Sequence, residues 1–138
     1  MAVIIDHRLP TVEEYNALRL AVGWPTFEEH LVQRGLANTL YGVIAIQEGG
    51  KVIAMGRIVG DDAIYLHIQD VIVRPEYQRQ GIGNLIMNEL LDYIKQSAGK
   101  NTNVGLMCSK GREDFYRSFG FVDRPNEKYG SGMIKVIE

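Results

Sequence analysis

Two glycines stand where a β-rich segment passes into a helical one, and their positions suggest phosphate chemistry. Gly81 and Gly83 fall where the helix should begin, a place where Ser, Thr or Asp usually caps the first turn. The first N–H groups of a helix have no partner within it, and they lie at the positive end of the helix dipole. Glycine lets a phosphate approach those groups because no side chain is in the way. The joint is therefore either a plain turn or a cradle for an anion.

The joint lacks two common phosphate-binding fingerprints. No G-x-x-x-x-G-K-[ST] run is present, and the third glycine of a dinucleotide-binding loop is missing. His7, His30 and His67 have no metal-ligand spacing with Cys108 or with one another, so we expect no metal. Cys108 ends a predicted strand and is interpreted as a small buried hydrophobe, with a covalent acyl-cysteine route as the alternative.

The elements that position this joint alternate between strand and helix patterns. We predict the order strand, two helices, three antiparallel strands, helix, strand, helix, two strands, because short Gly and Asp turns separate the three central strands. This is a mixed α/β arrangement and not a doubly wound one. The predicted strands are "AVIID", "LYGVIAIQ", "KVIAMGRIVG", "AIYLHIQDVIV", "NVGLMC", "GFVDRP" and "GMIKVIE".

The helices have their own start signals and apolar faces. Thr11 and Glu14 form a capping box for the first helix, and Thr26 and Glu29 form one for the second, which Gly35 should close. A short helix is predicted from about Lys110 to Ser118. The apolar face of the first helix is predicted as Val12, Tyr15, Leu18 and Val22, and that of the helix after the joint as Ile82, Leu85, Ile86, Leu90 and Ile94.

Size, charge and cysteine content narrow the class of protein. A chain of 138 residues with 46% hydrophobic and 23% charged content fits a single domain over residues 1–138. The net charge of -2 argues against a nucleic-acid-coating protein. One cysteine and no N-terminal signal pattern indicate a reducing cytoplasm. No apolar run approaches the roughly 20 residues that span a bilayer, so we expect no membrane partner.

A longer pattern around the joint is more specific than the two glycines. The segment "VRPEYQRQGIG" has the arrangement V-x-P-x-x-Q-x-x-G-x-G. It resembles the acyl-CoA signature Q/R-x-x-G-x-G/A of the GCN5-related N-acetyltransferases, the GNAT family. "FYRSFGF" at 115–121 is similar to a second motif of that family, F/L-Y-x-x-x-G-F. The resemblance covers essentially the whole chain and implies a GNAT-type fold, a mostly antiparallel, twisted central sheet of about six or seven strands with about four helices.

For the cofactor, acetyl-CoA, the resemblance implies mainly backbone contacts. In the family, amides of the glycine loop hold the pyrophosphate, and the preceding strand offers backbone groups to the pantetheine arm. An N–H near Ile72 would polarise the thioester carbonyl, where negative charge develops during acyl transfer. Basic side chains such as Arg79 and Arg112 would complement the polyanion, or are solvated surface charges. The implied cofactor-binding residues are Val71, Ile72, Val73, Gln78, Arg79, Gln80, Gly81, Ile82, Gly83, Asn84, Ser109, Arg112, Phe115 and Tyr116.

The catalytic residues that the resemblance implies are Tyr116, His67 and Asp70. Tyr116 occupies the position of the family's general acid, where a phenol with an ordinary pKa of about 10 keeps its proton for the leaving thiolate; simple packing is the alternative. His67 falls where histone-acetylating relatives carry a carboxylate, and an imidazole titrates in a useful range. A regular strand puts Asp70 on the face opposite His67, whereas a bulge would change which of them faces the cleft. Tyr65 and Gln69 remain candidates for ordering water there.

The resemblance implies an N-acetyltransferase in which a primary amine attacks acetyl-CoA directly within a ternary complex. The acceptor is a small-molecule amine or a protein amine, and a homodimer is compatible with the family. Ser109 stands where many members carry Asn, and the general base is undefined. These two departures motivate an alternative, a non-catalytic acyl-CoA-binding or sensing module. A nucleotide-phosphate-binding protein that uses the same loop is a third hypothesis.

Overall fold

The computed structural model describes residues 2–138, which form two compact units. One unit ends at Gly105, and the other runs from Leu106 to Glu138. The first unit contains β1 (Val3–Asp6), α1 (Val12–Ala21), α2 (Glu29–Ala37), β2 (Tyr41–Gln47), β3 (Val52–Gly60), β4 (Tyr65–Val73), a single 3-10 turn (Pro75–Tyr77), α3 (Ile82–Ser97) and β5 (Asn103–Gly105). The second unit contains α4 (Glu113–Arg117).

The strands of the first unit form one mixed sheet in the order β1-β2-β3-β4-β5. The pairs β1·β2, β2·β3 and β3·β4 are antiparallel, and β4·β5 is parallel. The mixed α/β fold and the central antiparallel meander are thus confirmed. The described residues contain five strands, so the expectation of six or seven was too high.

The missing strands are the two predicted at the end of the chain. Residues 121–138 contain no helix or strand, although "GFVDRP" and "GMIKVIE" have strand-like sequences. A strand requires a hydrogen-bonded neighbour, and within the second unit no ladder pairs these residues. Their apolar side chains Met133, Ile134, Val136 and Ile137 are 75 to 87% exposed. Sequence propensity alone was therefore insufficient to predict pairing here.

Helices α1 and α2 pack on one face of the sheet. The Thr11–Glu14 capping box of α1 is present, and both of its reciprocal hydrogen bonds form. The capping box predicted for α2 is wrong, because that helix begins at Glu29 without a side-chain cap. Gly35 lies inside α2 rather than closing it, and Asn38 ends the helix by donating its side-chain amide to the Arg34 carbonyl at 2.8 Å. The core cluster on this face consists of Tyr15, Leu18, Val32, Leu36, Ile44, Val52, Met55 and Ile72.

Helix α3 packs on the opposite face of the sheet. A Cβ atom added to Gly56 in β3 would lie 2.7 Å from Cγ2 of Ile86, so glycine permits this close approach. Adjacent strand residues point to opposite faces, which agrees with Met55 contributing to the α1 side. The prediction that Leu85 belongs to the buried face is wrong, because Leu85 is 45% exposed. The buried residues of α3 are Ile82, Ile86, Met87, Leu90 and Ile94.

Within residues 2–138, no helix has both the length and the apolar character needed to cross a membrane.

Candidate functional site

Strand β4 is irregular at Asp70. Its pairing with β3 shifts between Met55↔Ile72 and Arg57↔Gln69, so Asp70 and Val71 lie together opposite Gly56. Two residues opposite one are the signature of a β-bulge. Asp70 has a φ of 56°, in the left-handed region that non-glycine residues seldom adopt. The sequence was compatible with either a regular strand or a bulge at Asp70, and the bulge is the one present.

The bulge turns Asp70 toward helix α1, where its carboxylate is fully engaged. Tyr15 donates its hydroxyl to Oδ2 at 2.7 Å, and Arg57 Nε donates to the same oxygen at 2.9 Å. Arg19 Nη1 donates to Oδ1 at 3.2 Å. Only 1% of the Asp70 side chain is exposed. We call these four residues the Asp70 cluster.

The Asp70 cluster has an unusual charge balance, because one buried carboxylate meets two guanidinium groups. The side chains of Arg19 and Arg57 are 11% and 15% exposed. Arg19 also lies over aromatic rings, with its Cζ 4.5 Å from the centroid of Phe27 and 5.4 Å from that of Trp24. Burial, together with the Asp70 charge, raises the pKa of Tyr15 to about 12, so its hydroxyl stays a donor across the physiological range.

Sequence reasoning named Asp70 but missed its three partners. Tyr15 was predicted on the core face of α1, and its ring does lie in the core. The hydrogen bond from its hydroxyl to Asp70 was not predicted. A usable signal existed in "VIAMGRIVG", where Arg57 is the lone charged residue of an apolar strand. A charge in such a strand needs a partner when it is buried.

The other base candidates lie along β4 before the bulge. His67 pairs with Val59 and Gln69 pairs with Arg57, so both side chains share the face of Arg57. His67 is half-buried and also pairs with Gly105 of β5. Tyr65 is 63% exposed. The structure thus places His67, Gln69 and Asp70 on one face, whereas a regular strand would have separated Asp70 from the other two.

The glycine joint follows β4 directly and leaves a row of amides unpaired. After the turn Pro75–Tyr77, the backbone is left-handed at Arg79 (φ 64°) and at Gly81 (φ 82°). Helix α3 begins at Ile82, and its first turn receives no side-chain cap. Among residues 2–138, no acceptor takes the N–H groups of residues 79–84. A Cβ on Gly81 would meet nothing within 4 Å, so the space beside it is open. These features fit an anion such as a phosphate.

Strand β4 also has an open edge next to the joint. Its pairing with β5 extends only over Tyr65–His67, so the described residues give no strand partner to Val71, Ile72 and Val73 on that side. Gln78 fixes the end of the strand, because its side-chain amide donates to the Val73 carbonyl at 2.9 Å. Backbone groups on this edge are available to an extended ligand, which is how β-augmentation binds one.

The second unit contains Ser109, Arg112, Phe115 and Tyr116. Burial raises the pKa of Tyr116 to about 12, with a smaller opposing effect from Arg112. The Tyr116 ring has edge contacts with Phe115 and Phe121, with ring centroids 5.0 and 6.3 Å apart. The Ser109 carbonyl accepts the Arg112 N–H at 3.0 Å.

Cys108 was interpreted as a buried hydrophobe, and this is wrong because the residue is exposed. Partial desolvation and the nearby Glu113 carboxylate raise the pKa of its thiol, which therefore stays protonated at neutral pH. A raised pKa disfavours the nucleophilic thiolate. No group of three or more His, Cys, Asp or Glu within the part of the chain that the structure describes is placed to hold a metal ion.

A pocket of about 280 Å³ opens on the α1 and α2 side of the sheet. Two of its lining residues, Tyr15 and Arg57, belong to the Asp70 cluster. The remaining lining is apolar side chains and one glycine. The pocket is lined by Tyr15, Phe27, Leu31, Val32, Gly35, Leu36 and Arg57.

Comparison with known proteins decides what this arrangement is. A family model described as "Acetyltransferase (GNAT) domain" matches residues 13–136. The chain belongs to the GNAT family of acetyltransferases. The family assignment made from the two sequence motifs is thereby confirmed.

Solved GNAT structures have the same architecture over almost the whole chain. A probable acetyltransferase of unknown function from meticillin-resistant Staphylococcus aureus is 31% identical, with a TM-score of 0.89 over 98% of this chain and 100% of that one. A GNAT family protein from Streptococcus pneumoniae is also 31% identical, with a TM-score of 0.81 over 99% and 98%.

Curated relatives of this GNAT chain are longer than it is. GCN5-related N-acetyltransferase 1 of Arabidopsis thaliana, a chloroplastic protein, is 26% identical over 90% of this chain and 62% of the relative. An uncharacterized N-acetyltransferase of Prochlorococcus marinus is 31% identical over 81% of this chain and 63% of the relative. The chain spans less than two thirds of the length of these two relatives.

In this GNAT chain, replacing Asp70 with asparagine should cost stability. Asp70→Asn leaves two mostly buried guanidinium groups without their counter-charge, which typically lowers the free energy of unfolding by about 3 kcal/mol or more. Urea denaturation measures the loss, and Asp92→Asn, at an exposed position of α3, is the matched control with an expected change near zero. Unchanged stability with abolished turnover would instead identify Asp70 as the base.

Proposed function

We propose that this protein is an acetyl-CoA-dependent N-acetyltransferase that moves the acetyl group to a primary amine by direct attack in a ternary complex. The observation that carries the proposal is the row of unpaired amides at residues 79–84, next to the open edge of β4. A helix start with no side-chain cap and a glycine at its N-cap suits the pyrophosphate of coenzyme A. The open edge suits the pantetheine arm.

In the proposed reaction, acetyl-CoA supplies the acyl group as a thioester. The amine nitrogen forms a bond to the carbonyl carbon, and the carbon–sulfur bond breaks. An N–H near Ile72 stabilises the negative charge that develops on the carbonyl oxygen. Tyr116 gives its proton to the departing thiolate, and its pKa of about 12 keeps that proton in place at neutral pH.

For removal of the amine's proton, we favour His67 over Asp70. His67 is half-buried on β4, and its imidazole is not held by the ion pairs that engage Asp70. Gln69 shares its face and can help to order a water molecule. The three hydrogen bonds on Asp70 give that carboxylate a positioning role, because it connects the β4 bulge to α1.

Other parts of the proposal come from the sequence. They are a single domain over residues 1–138, a cytoplasmic location and a homodimer. Some relatives are chloroplastic by name, so the compartment is a separate question from the activity. The acceptor is an amine of a small molecule or of a protein.

Calorimetry of the purified chain tests the donor site. We expect acetyl-CoA and coenzyme A to bind at least tenfold more tightly than ATP, since only they place a pantetheine arm along β4. ATP binding as tightly as coenzyme A would favour a nucleotide-binding protein. Tight binding of acetyl-CoA without acetylation of any amine would favour a non-catalytic acyl-CoA-binding module.

A further inference from the structure

Arg57, a lining residue of the pocket beside the Asp70 cluster, has one guanidinium nitrogen for which residues 2–138 supply no acceptor. Arg57 donates from Nε to Asp70 at 2.9 Å, and from Nη1 to the Thr39 hydroxyl at 2.8 Å and to the Gly35 carbonyl at 3.4 Å. Among the described residues, none accepts from its Nη2. No buried side-chain nitrogen or oxygen in that part of the chain lacks a partner, so Nη2 reaches open space. Arg57 also lines the pocket, so the pocket is the candidate space for an acceptor of this nitrogen.

The charge around this nitrogen is also unbalanced. Asp70 neutralises one of the two guanidinium groups that it contacts, and one positive charge remains. The Arg19 guanidinium lies near the rings of Tyr15, Trp24 and Phe27 and does not line the pocket, whereas Arg57 is one of its lining residues. Among residues 2–138, no acidic residue lines the pocket to balance that charge. A positive charge in apolar surroundings attracts an anion more strongly than it would in water.

The rest of the pocket is apolar and small. Phe27, Leu31, Val32 and Leu36 provide its walls, and Arg57 is the charged residue among the described residues that line it. A volume of about 280 Å³ is at the low end for ligand pockets, which suits a small molecule rather than a folded protein surface. The lining residues that the structure describes include no hydroxyl or amide side chain that could recognise a sugar, apart from the Tyr15 hydroxyl, which is already bound to Asp70.

We infer that this pocket binds an acceptor amine that also carries a carboxylate on an apolar body, such as a small amino acid. The carboxylate accepts from Arg57 Nη2, and the apolar body lies against Phe27, Leu31 and Val32. A sugar phosphate fits less well, because its hydroxyl groups would find no partners on apolar walls. The inference rests on the proposed function, since it names the acceptor of that reaction.

The binding test needs no turnover and therefore separates the two proposals. Calorimetry compares 4-methylpentanoate with 4-methylpentanamide, which have the same body and differ in charge. We expect the carboxylate to bind the purified chain at least tenfold more tightly. Equal binding of the two probes would overturn the inference, and so would tighter binding of glucosamine 6-phosphate.

Two matched variants connect this preference to the pocket. Leu31 is 39% exposed, so it tolerates polar substitution, and Leu31→Glu places a negative charge in the pocket without touching the Asp70 cluster. Leu31→Gln is its neutral control. We expect the preference for 4-methylpentanoate to vanish in Leu31→Glu and to persist in Leu31→Gln. A preference that survives in Leu31→Glu would show that the carboxylate binds elsewhere.

Turnover provides the second readout. With acetyl-CoA as donor, we expect kcat/KM for 6-aminohexanoate to exceed that for hexylamine at least tenfold. Arg57→Lys should reduce this ratio. Arg34→Lys, on the exposed surface of α2, is the control and should leave the ratio unchanged. Equal rates for both amines would overturn the inference and leave the acetyltransferase activity intact. Failure of every amine would contradict the proposed function, and the binding comparison would still decide what the pocket holds.

Discussion

Replacing Tyr116 with phenylalanine is expected to lower kcat about 100-fold while leaving the affinity for acetyl-CoA unchanged. The substitution removes only the phenolic oxygen, so the ring keeps its contacts with Phe115 and Phe121. The departing thiolate then lacks its proton donor. Steady-state release of free thiol measures kcat, and calorimetry measures binding. An unchanged kcat would mean that Tyr116 is a packing residue.

Tyr129 provides the matched control for this substitution. Tyr129 belongs to the same unit and is 46% exposed, and Tyr129→Phe should leave both kcat and binding unchanged.

The pH profile of kcat adds a second check on the role of Tyr116. A general acid must be protonated, and burial raises the pKa of Tyr116 to about 12. At any pH under about 10, deprotonation of Tyr116 should therefore not reduce kcat. A fall with an apparent pKa well below 10 that disappears in Tyr116→Phe would contradict the buried, protonated phenol.

Replacing Gly83 with valine should weaken coenzyme A binding at least tenfold, roughly 1.4 kcal/mol, without lowering stability. Gly83 lies in the first turn of α3, where it has an ordinary helical backbone. Valine has a slightly better helix propensity than glycine, so the fold should be as stable or slightly more so. Its branched side chain would nevertheless obstruct the row of amides at residues 79–84. Calorimetry and thermal denaturation of the same samples separate the two effects.

Two further glycine variants control this experiment. Gly83→Ala should bind coenzyme A nearly as well as the original chain, because the family signature accepts alanine at this position. Gly99→Ala, just beyond the other end of α3, should change neither property. If Gly83→Val melted the fold and the remaining native protein kept its affinity, the joint would be a plain turn.

The structure also changes the expectation for Gly81. The sequence alone does not distinguish Gly81 from Gly83 as a probe of phosphate binding. Gly81 has a φ of 82°, where a residue with a Cβ atom is strained by about 1 to 2 kcal/mol. A Gly81 substitution therefore mixes a folding defect with a binding defect, and Gly83 is the sharper probe.

Local rules predicted what depends on neighbours in the sequence. The Thr11–Glu14 capping box, the three-strand meander and the start of α3 near the glycines all follow from short-range patterns, and all are present. The same rules failed where tertiary contacts decide. The end of α2 depends on Asn38 rather than on Gly35, and no strand among residues 2–138 pairs with the last two predicted strands.

The candidate site likewise contains one part that local sequence predicts and one part that depends on tertiary contacts. The glycine joint was visible because its chemistry depends on backbone and spacing. The Asp70 cluster was not, since Tyr15 and Arg19 are more than 50 positions from Asp70 and meet it only when α1 packs over the β4 bulge. The bulge itself depends on the β3·β4 register, which a single sequence does not specify.

Acetyl transfer to an amine is the central claim, and mass spectrometry of the reaction products tests it most directly. The purified chain is incubated with acetyl-CoA and a panel of amines that includes amino acids, polyamines, amino sugars and peptides. We predict an amine that gains one acetyl group, with one free thiol released per product and both rates lowered about 100-fold in Tyr116→Phe. Tight binding of acetyl-CoA with no acetylated amine from any class would contradict it.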